Sequence, residues 1–224
     1  MSKKYYSKIS IGTANLETKY GILKKNKISF LRFKKLANIC RKKKIKFFDT
    51  SSSYKNSEKL LGKIKLNKFK VISKSIFSSK TKSFGIENSC INLKQKPYAI
   101  LFHKFNDYKK KKKIFLNELK KNKIKKFGVS IYYKSEFKMA LKDNRIKIIQ
   151  IPGNFFNQKL LDEKLLKHAQ KKNIQIEVRS VFMQGLLFEN ISKVVKILKI
   201  KNKKKIQDLK KILIKYNFSL AILS

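Results

Sequence analysis

From one end of this chain to the other, two hydrophobic periods alternate. Short apolar runs rich in β-branched and aromatic residues exchange with stretches whose apolar residues recur every three to four positions. The strand-like runs are 8–14, 45–50, 70–74, 98–103, 126–131, 147–151 and 174–179. Helical patterns lie between them at 30–43, 57–64, 84–93, 111–122, 135–142 and 162–172, and another follows at 206–216. Strands that alternate with helices predict a parallel sheet with crossover helices. The nearly continuous apolar character of the runs agrees, because such strands are covered on both faces. A doubly wound sheet and a barrel share this pattern. No G-x-G-x-x-G follows the first strand, so the usual dinucleotide fingerprint of the doubly wound fold is missing.

The strand ends favour the barrel. Asp49 closes IKFFDT, with Tyr54 just beyond it; Lys74 closes KVISK; His103 closes YAILFH. They recur at intervals of 25 and 29 residues, which suit one strand, one helix and two loops. In a barrel of parallel strands, chemistry sits at the C-terminal ends of several strands. Consecutive strands are usually neighbours, so the four groups are expected to converge. A tyrosine alone is a reluctant acid at neutral pH. A nearby ammonium favours tyrosinate and lowers the phenol's pKa, and a carboxylate keeps the lysine charged and oriented. A histidine can position a carbonyl oxygen. Together they make a proton donor beside a polarised carbonyl, as reduction by hydride requires. The hydride must come from a cofactor, since no side chain supplies one.

Plainer roles compete for single residues. Asp49 could cap the following helix, although Thr50 and Ser51 would serve as well. Lys74 is one of 54 lysines, and His168 falls mid-helix as a surface or boundary residue. Gln150 is balanced between satisfying backbone groups and binding a cofactor. The run Tyr108–Lys113 reads as a solvated helix start.

Composition bounds the remaining choices. The 224 residues carry only 7 Gly and 2 Pro, so no linker divides them, and one domain over 1–224 is expected. The net charge of +45 suggests a polyanion partner. Yet only Arg32, Arg41, Arg145 and Arg179 are arginines, and the lysines cover every predicted element instead of one stripe. A solvated surface is favoured over a specific nucleic-acid site, with nonspecific polyanion binding expected at low salt. Cys40 and Cys90 share no metal-ligand spacing and fit apolar helix positions, so both are expected to be buried free thiols, with no metal. The start MSKKYYSKIS has no hydrophobic signal core, and no run reaches the roughly 18 apolar residues of a membrane span. A cytoplasmic protein is expected.

The segments SIGTANLETKYG, KFFDTSSSYKNSEKLLG, VISKS, ILFHK, KKFGVSIY, IIQIPGNFFNQ and VRSVFMQGLL resemble the aldo/keto reductase superfamily, in that family's order and over nearly the whole chain. The resemblance implies a (β/α)8 TIM-type barrel that reduces a small-molecule carbonyl substrate with NADPH, NADH being left open. It makes Tyr54 the proton donor, Lys74 its pKa-lowering partner, Asp49 the partner of Lys74, and His103 the orienting group for the substrate oxygen. Ser130 and Gln150 match positions that hold the nicotinamide carboxamide, and Gly12 and Thr13 match the turn beside the cofactor. The chain departs from the pattern at three places. Ile131 stands where many members have an asparagine, and Arg179 where many stack an aromatic on the nicotinamide. The last strand and the C-terminal cofactor-gripping segment have no counterpart. Open edges on β-strands one and seven leave room for self-association. A catalytically inactive or truncated relative is the alternative reading, and a basic polyanion-binding protein a further one.

Overall fold

All seven strand-like runs form strands, and they lie side by side in chain order. The computed structural model of the protein describes residues 7–23, 27–64, 66–201 and 203–217, with Ser219 and Ala221. The strands are β1 (Ser10–Gly12), β2 (Phe47–Asp49), β3 (Lys70–Ser75), β4 (Ala99–Phe102), β5 (Phe127–Ser130), β6 (Ile146–Pro152) and β7 (Gln175–Arg179). Every neighbouring pair is parallel. The crossovers contain α1 (Phe30–Lys42), α2 (Ser57–Leu61), α3 (Ile86–Leu93), α4 (Phe105–Lys121), α5 (Lys134–Leu141) and α6 (Glu163–Lys171). Among the described residues no eighth strand forms, so β1 and β7 are the sheet's two edges.

The sheet curls as part of a barrel. In a flat sheet β2 and β6, four strand spacings apart, would be separated by about 19 Å. Instead Gln150 on β6 donates a hydrogen bond to Asp49 on β2 over 2.8 Å. Alternate residues of each strand therefore face a shared interior. Ile72, Ala99, Leu101 and Ile148 form an apolar layer there, with Phe47 and Tyr98 against it. Gly128 faces the same layer, where a Cβ would overlap the Ile148 carbonyl. The opposite faces carry the larger core beneath the helices. There Phe102 stacks on Phe115 with ring centroids 3.8 Å apart, both fully buried. Each such side chain stabilises the fold by about 1.5–3 kcal/mol relative to an exposed one.

Local chemistry sets the helix limits. The Ser29 hydroxyl accepts from the Arg32 amide at the start of α1, and Asp162 accepts from Leu165 at the start of α6. Such caps contribute about 1 kcal/mol each. Helix α4 begins earlier than the expected 111, because its pattern is interrupted: Lys111 has non-helical angles, φ −126° and ψ 16°. Tyr108 consequently lies within the helix, buried, with its hydroxyl donating to Asp143. The Tyr108–Lys113 run is therefore not the helix start, although its lysines are exposed or half-buried. After β7 the chain adds elements the periodicity did not reveal, a 3-10 turn (Met183–Phe188) and α7 (Ile191–Leu198). They are held by Leu186, Leu187 and Val194. Helix α8 (Lys203–Lys215) follows. Cys40 is buried, whereas Cys90 is only half-buried, a correction to the expected pair of buried thiols. No helix of the described residues is long and apolar enough to cross a membrane.

Candidate active site

One layer above the apolar interior, the inward residues become polar. The cause is strand parity: two residues beyond Phe47 comes Asp49, beyond Ile72 comes Lys74, beyond Leu101 comes His103, and beyond Ile148 comes Gln150. Lys74 is 1% exposed, and its ammonium meets Asp49 at 2.5 Å. The Lys74 nitrogen stands 5.2 Å from the centroid of the Tyr54 ring. Tyr54 is carried by the turn after β2, where its amide donates to Ser51 and its carbonyl accepts from Ser57 at the start of α2. Its ring meets His103 edge to face, with centroids 5.9 Å apart and planes at 83°. The four residues expected to converge therefore do so.

Electrostatics depart from the expectation for Tyr54. Burial pushes the phenol well above its ordinary value, the Asp49 carboxylate adds to this, and the Arg179 guanidinium opposes it. The Lys74 charge is already engaged by Asp49, and the expected lowering does not appear. His103 moves the other way. Burial, then the Lys74 ammonium, lowers its pKa to about 4, with Asp49 opposing. At neutral pH the phenol is protonated and the imidazole uncharged.

Ser130 and Gln150 stand directly across from one another in strand register, and Gln150 stands across from Glu177. The Ser130 hydroxyl donates to Gln150 Oε1 over 3.4 Å. Gln150 Nε2 donates to both Asp49 and Glu177, at 2.8 and 3.3 Å. Arg179 donates to Ser130 Oγ through Nε and to the Ile131 carbonyl through Nη2, each at 3.3 Å, and its guanidinium lies 4.3 Å over the Tyr132 ring. Thr13 is buried, and both its amide and its hydroxyl donate to the Asp49 carbonyl. Gly12, exposed at the end of β1, has nothing within 4 Å of where a Cβ would stand. His168 is exposed and remote from this layer.

Sequence reasoning overlooked three residues here. Ser51 and Ser53 bring their hydroxyls to 3.0 and 3.2 Å of His103 Nδ1, and Ser51 also donates to the Lys74 carbonyl. Glu177 is 9% exposed, and burial, followed by the Asp49 charge, raises its pKa to about 7. A signal for Glu177 existed: in the alternating run IQIEVR it lies two residues after Gln175 and two before Arg179, and so on the same strand face. Among the described residues no three His, Cys, Asp or Glu side chains gather to hold a metal.

A curled parallel β/α sheet with a lysine–carboxylate pair, a phenol and an imidazole at its C-terminal end defines a barrel-type architecture, open along one side among the described residues. The chain belongs to the aldo/keto reductase family, whose model matches residues 8–224. Members of that family are oxidoreductases that generally bind NAD(P)H. No curated protein matches the chain. Among solved structures it is similar to a Pseudomonas aeruginosa protein assigned to the aldo-keto reductases, with a TM-score of 0.64 and 17% identity over 85% of this chain and 77% of that one. A holo-form aldo-keto reductase from Bacillus halodurans gives 0.63 and 17%, over 80% of this chain and 64% of that one. An aldo/keto reductase from Klebsiella pneumoniae, solved with NADP and acetate, gives 0.62 and 14%, over 96% and 75%. The chain thus spans between about two thirds and three quarters of these relatives. At these identities the likeness is one of fold.

Proposed function

We propose that this protein is an NADPH-linked oxidoreductase that reduces an aldehyde or ketone to an alcohol. The observation that carries the reading is the Tyr54 phenol standing against both the Lys74 ammonium and the His103 ring. The NADP bound by the Klebsiella pneumoniae relative supports the choice of cofactor. NADH is the alternative. The donor set fits a nicotinamide: Ser130 and Gln150 are an inward hydroxyl and amide at the ends of β5 and β6, complementary to a carboxamide, and Arg179 flanks them with a planar cation. When bound, the cofactor supplies the hydride.

The protein's own groups manage the charge on the carbonyl oxygen. Tyr54, kept protonated by burial, holds a proton that moves to that oxygen as negative charge develops there. The tyrosinate left behind is stabilised by the Arg179 guanidinium, while the Lys74 ammonium, 5.2 Å from the ring centroid, stays paired with Asp49. Uncharged His103 cannot compete as the acid. With Ser51 donating to the Lys74 carbonyl, the Ser53 hydroxyl, 2.9 Å from Ser51 Oγ and 3.2 Å from Nδ1, is assigned as the donor to Nδ1, which leaves the ring proton on Nε2. An Nε2–H orients the carbonyl without surrendering a proton.

The test follows NADPH absorbance with a panel of aldehydes and ketones, wild type beside Tyr54→Phe. Loss of at least about 100-fold in kcat is expected in the variant, the usual scale of general acid catalysis. Undiminished turnover in Tyr54→Phe rejects the assigned donor. No NADPH or NADH binding at micromolar concentrations favours the second reading, a catalytically inactive relative, which the absence of an eighth strand among the described residues motivates.

A further inference from the structure

None of the steps above uses Glu177, yet it is built into the same layer. Its carboxylate accepts one N–H of the Gln150 amide at 3.3 Å, while Asp49 accepts the other at 2.8 Å. Gln150 Oε1 in turn accepts from Ser130. An amide held in this way has no N–H to offer a ligand. The two carboxylates also face a single ammonium. Lys74 pairs with Asp49, and among the described residues no ion pair forms with Glu177. Glu177 thus retains Gln150 without a contacting cation of its own.

We propose that Glu177 is a positioning residue that controls the Gln150 amide: as a carboxylate it holds the amide inward, and on taking up a proton it frees an N–H for the planar carboxamide of an entering nicotinamide ring. The proposal rests on the cofactor reading given above. A hydrogen bond to an ionised acceptor is roughly twice as strong as one between neutral groups, so protonation weakens this hold. The groups acting on Glu177 are Asp49 from β2, Lys74 from β3, Gln150 from β6 and Gln175 on its own strand, with Tyr54, His103 and Arg179 completing the site. Burial and Asp49 favour its neutral form and Lys74 opposes them, so both forms are populated near pH 7.

The experiment titrates the purified protein with NADPH by fluorescence between pH 5.5 and 8.5. If only the protonated form releases the amide, the Kd of the wild type rises about tenfold between pH 6 and 8. Glu177→Gln keeps the shape without the charge, and its Kd is expected to stay near the wild type's low-pH value. The cofactor's own phosphate titrates alike in both proteins, so the ratio of the two Kd values isolates Glu177. His103, with its pKa about 4, lies outside this window. Gln150→Leu, which removes the controlled amide, is expected to bind weakly with its own Kd lacking the Glu177 component; its ratio to wild type decides the matter should Glu177→Gln not fold. A ratio that stays constant with pH overturns this proposal alone. Absence of NADPH binding by the wild type at every pH overturns it together with the cofactor reading.

Discussion

Replacing Asp49 by alanine tests the electrostatic frame of the site. Lys74 is 1% exposed, and Asp49 is its ion-pair partner at 2.5 Å. Removing one partner of a buried pair typically costs about 3–5 kcal/mol, because an uncompensated charge stays behind. The Gln150 amide also loses an acceptor, worth about 1 kcal/mol. Against this, Asp49 is itself 17% exposed, so water enters its place, and Glu177 ionises more readily without the Asp49 charge beside it. A net loss of about 3 kcal/mol follows, at the low end of the range for buried pairs. For a chain of this size that lowers Tm by about 6–12 °C. Urea unfolding at pH 7 and moderate salt measures the free energy, and a thermal scan the midpoint. The paired control is Asp49→Leu with Lys74→Met, where no charge is stranded and stability should return to within about 1 kcal/mol of wild type. A single-variant loss below about 1 kcal/mol, or a double variant as unstable as the two singles together, would refute the reasoning.

Three further outcomes are expected. Glu177 has a folded pKa of about 7 against 4.5, so the native state binds the extra proton between these values and stability falls as pH rises from 4.5 to 7. Glu177→Gln should remove that slope and be up to about 3 kcal/mol more stable than wild type at pH 8, measured by urea unfolding across pH. His103 has the opposite sign: its pKa falls from 6.5 to about 4, so the unfolded chain binds the proton first and stability is lost as pH drops through this interval. His103→Phe should flatten that limb by about 1–2 kcal/mol, allowing for the ring's partial exposure. Ser53→Ala should lower kcat about tenfold on the best carbonyl substrate while leaving Tm within about 2 °C, because a hydroxyl that sets the imidazole tautomer acts on catalysis more than on folding; a variant with unchanged kcat shows that Ser53 does not set the tautomer.

Much of this architecture could be read before any coordinates, and the reason is parity. A buried parallel strand repeats every two residues, so Phe47 and Asp49, Ile72 and Lys74, and Leu101 and His103 had to share a face, and the polar member of each pair had to come at the C-terminal end. Tyr54 followed from its place five residues beyond Asp49 in the turn that begins α2. Helix α4 was located but not its beginning, since the non-helical Lys111 breaks the period on which such a reading depends.

What the chain's order of residues decided, then, was the number and sequence of strands and which side chains point inward, because both follow from periodicities only a few residues long. Tertiary structure alone decided which inward residues touch. The meeting of Asp49 with Gln150, 101 positions apart, depends on how tightly the sheet curls, and the row Ser130, Gln150 and Glu177 on the register of three strands. The protonation of Tyr54, His103 and Glu177 depends on the burial and neighbouring charge that this curl creates. Distances between elements are set by the packing of the whole molecule, and in a site of this kind those distances govern where the protons reside.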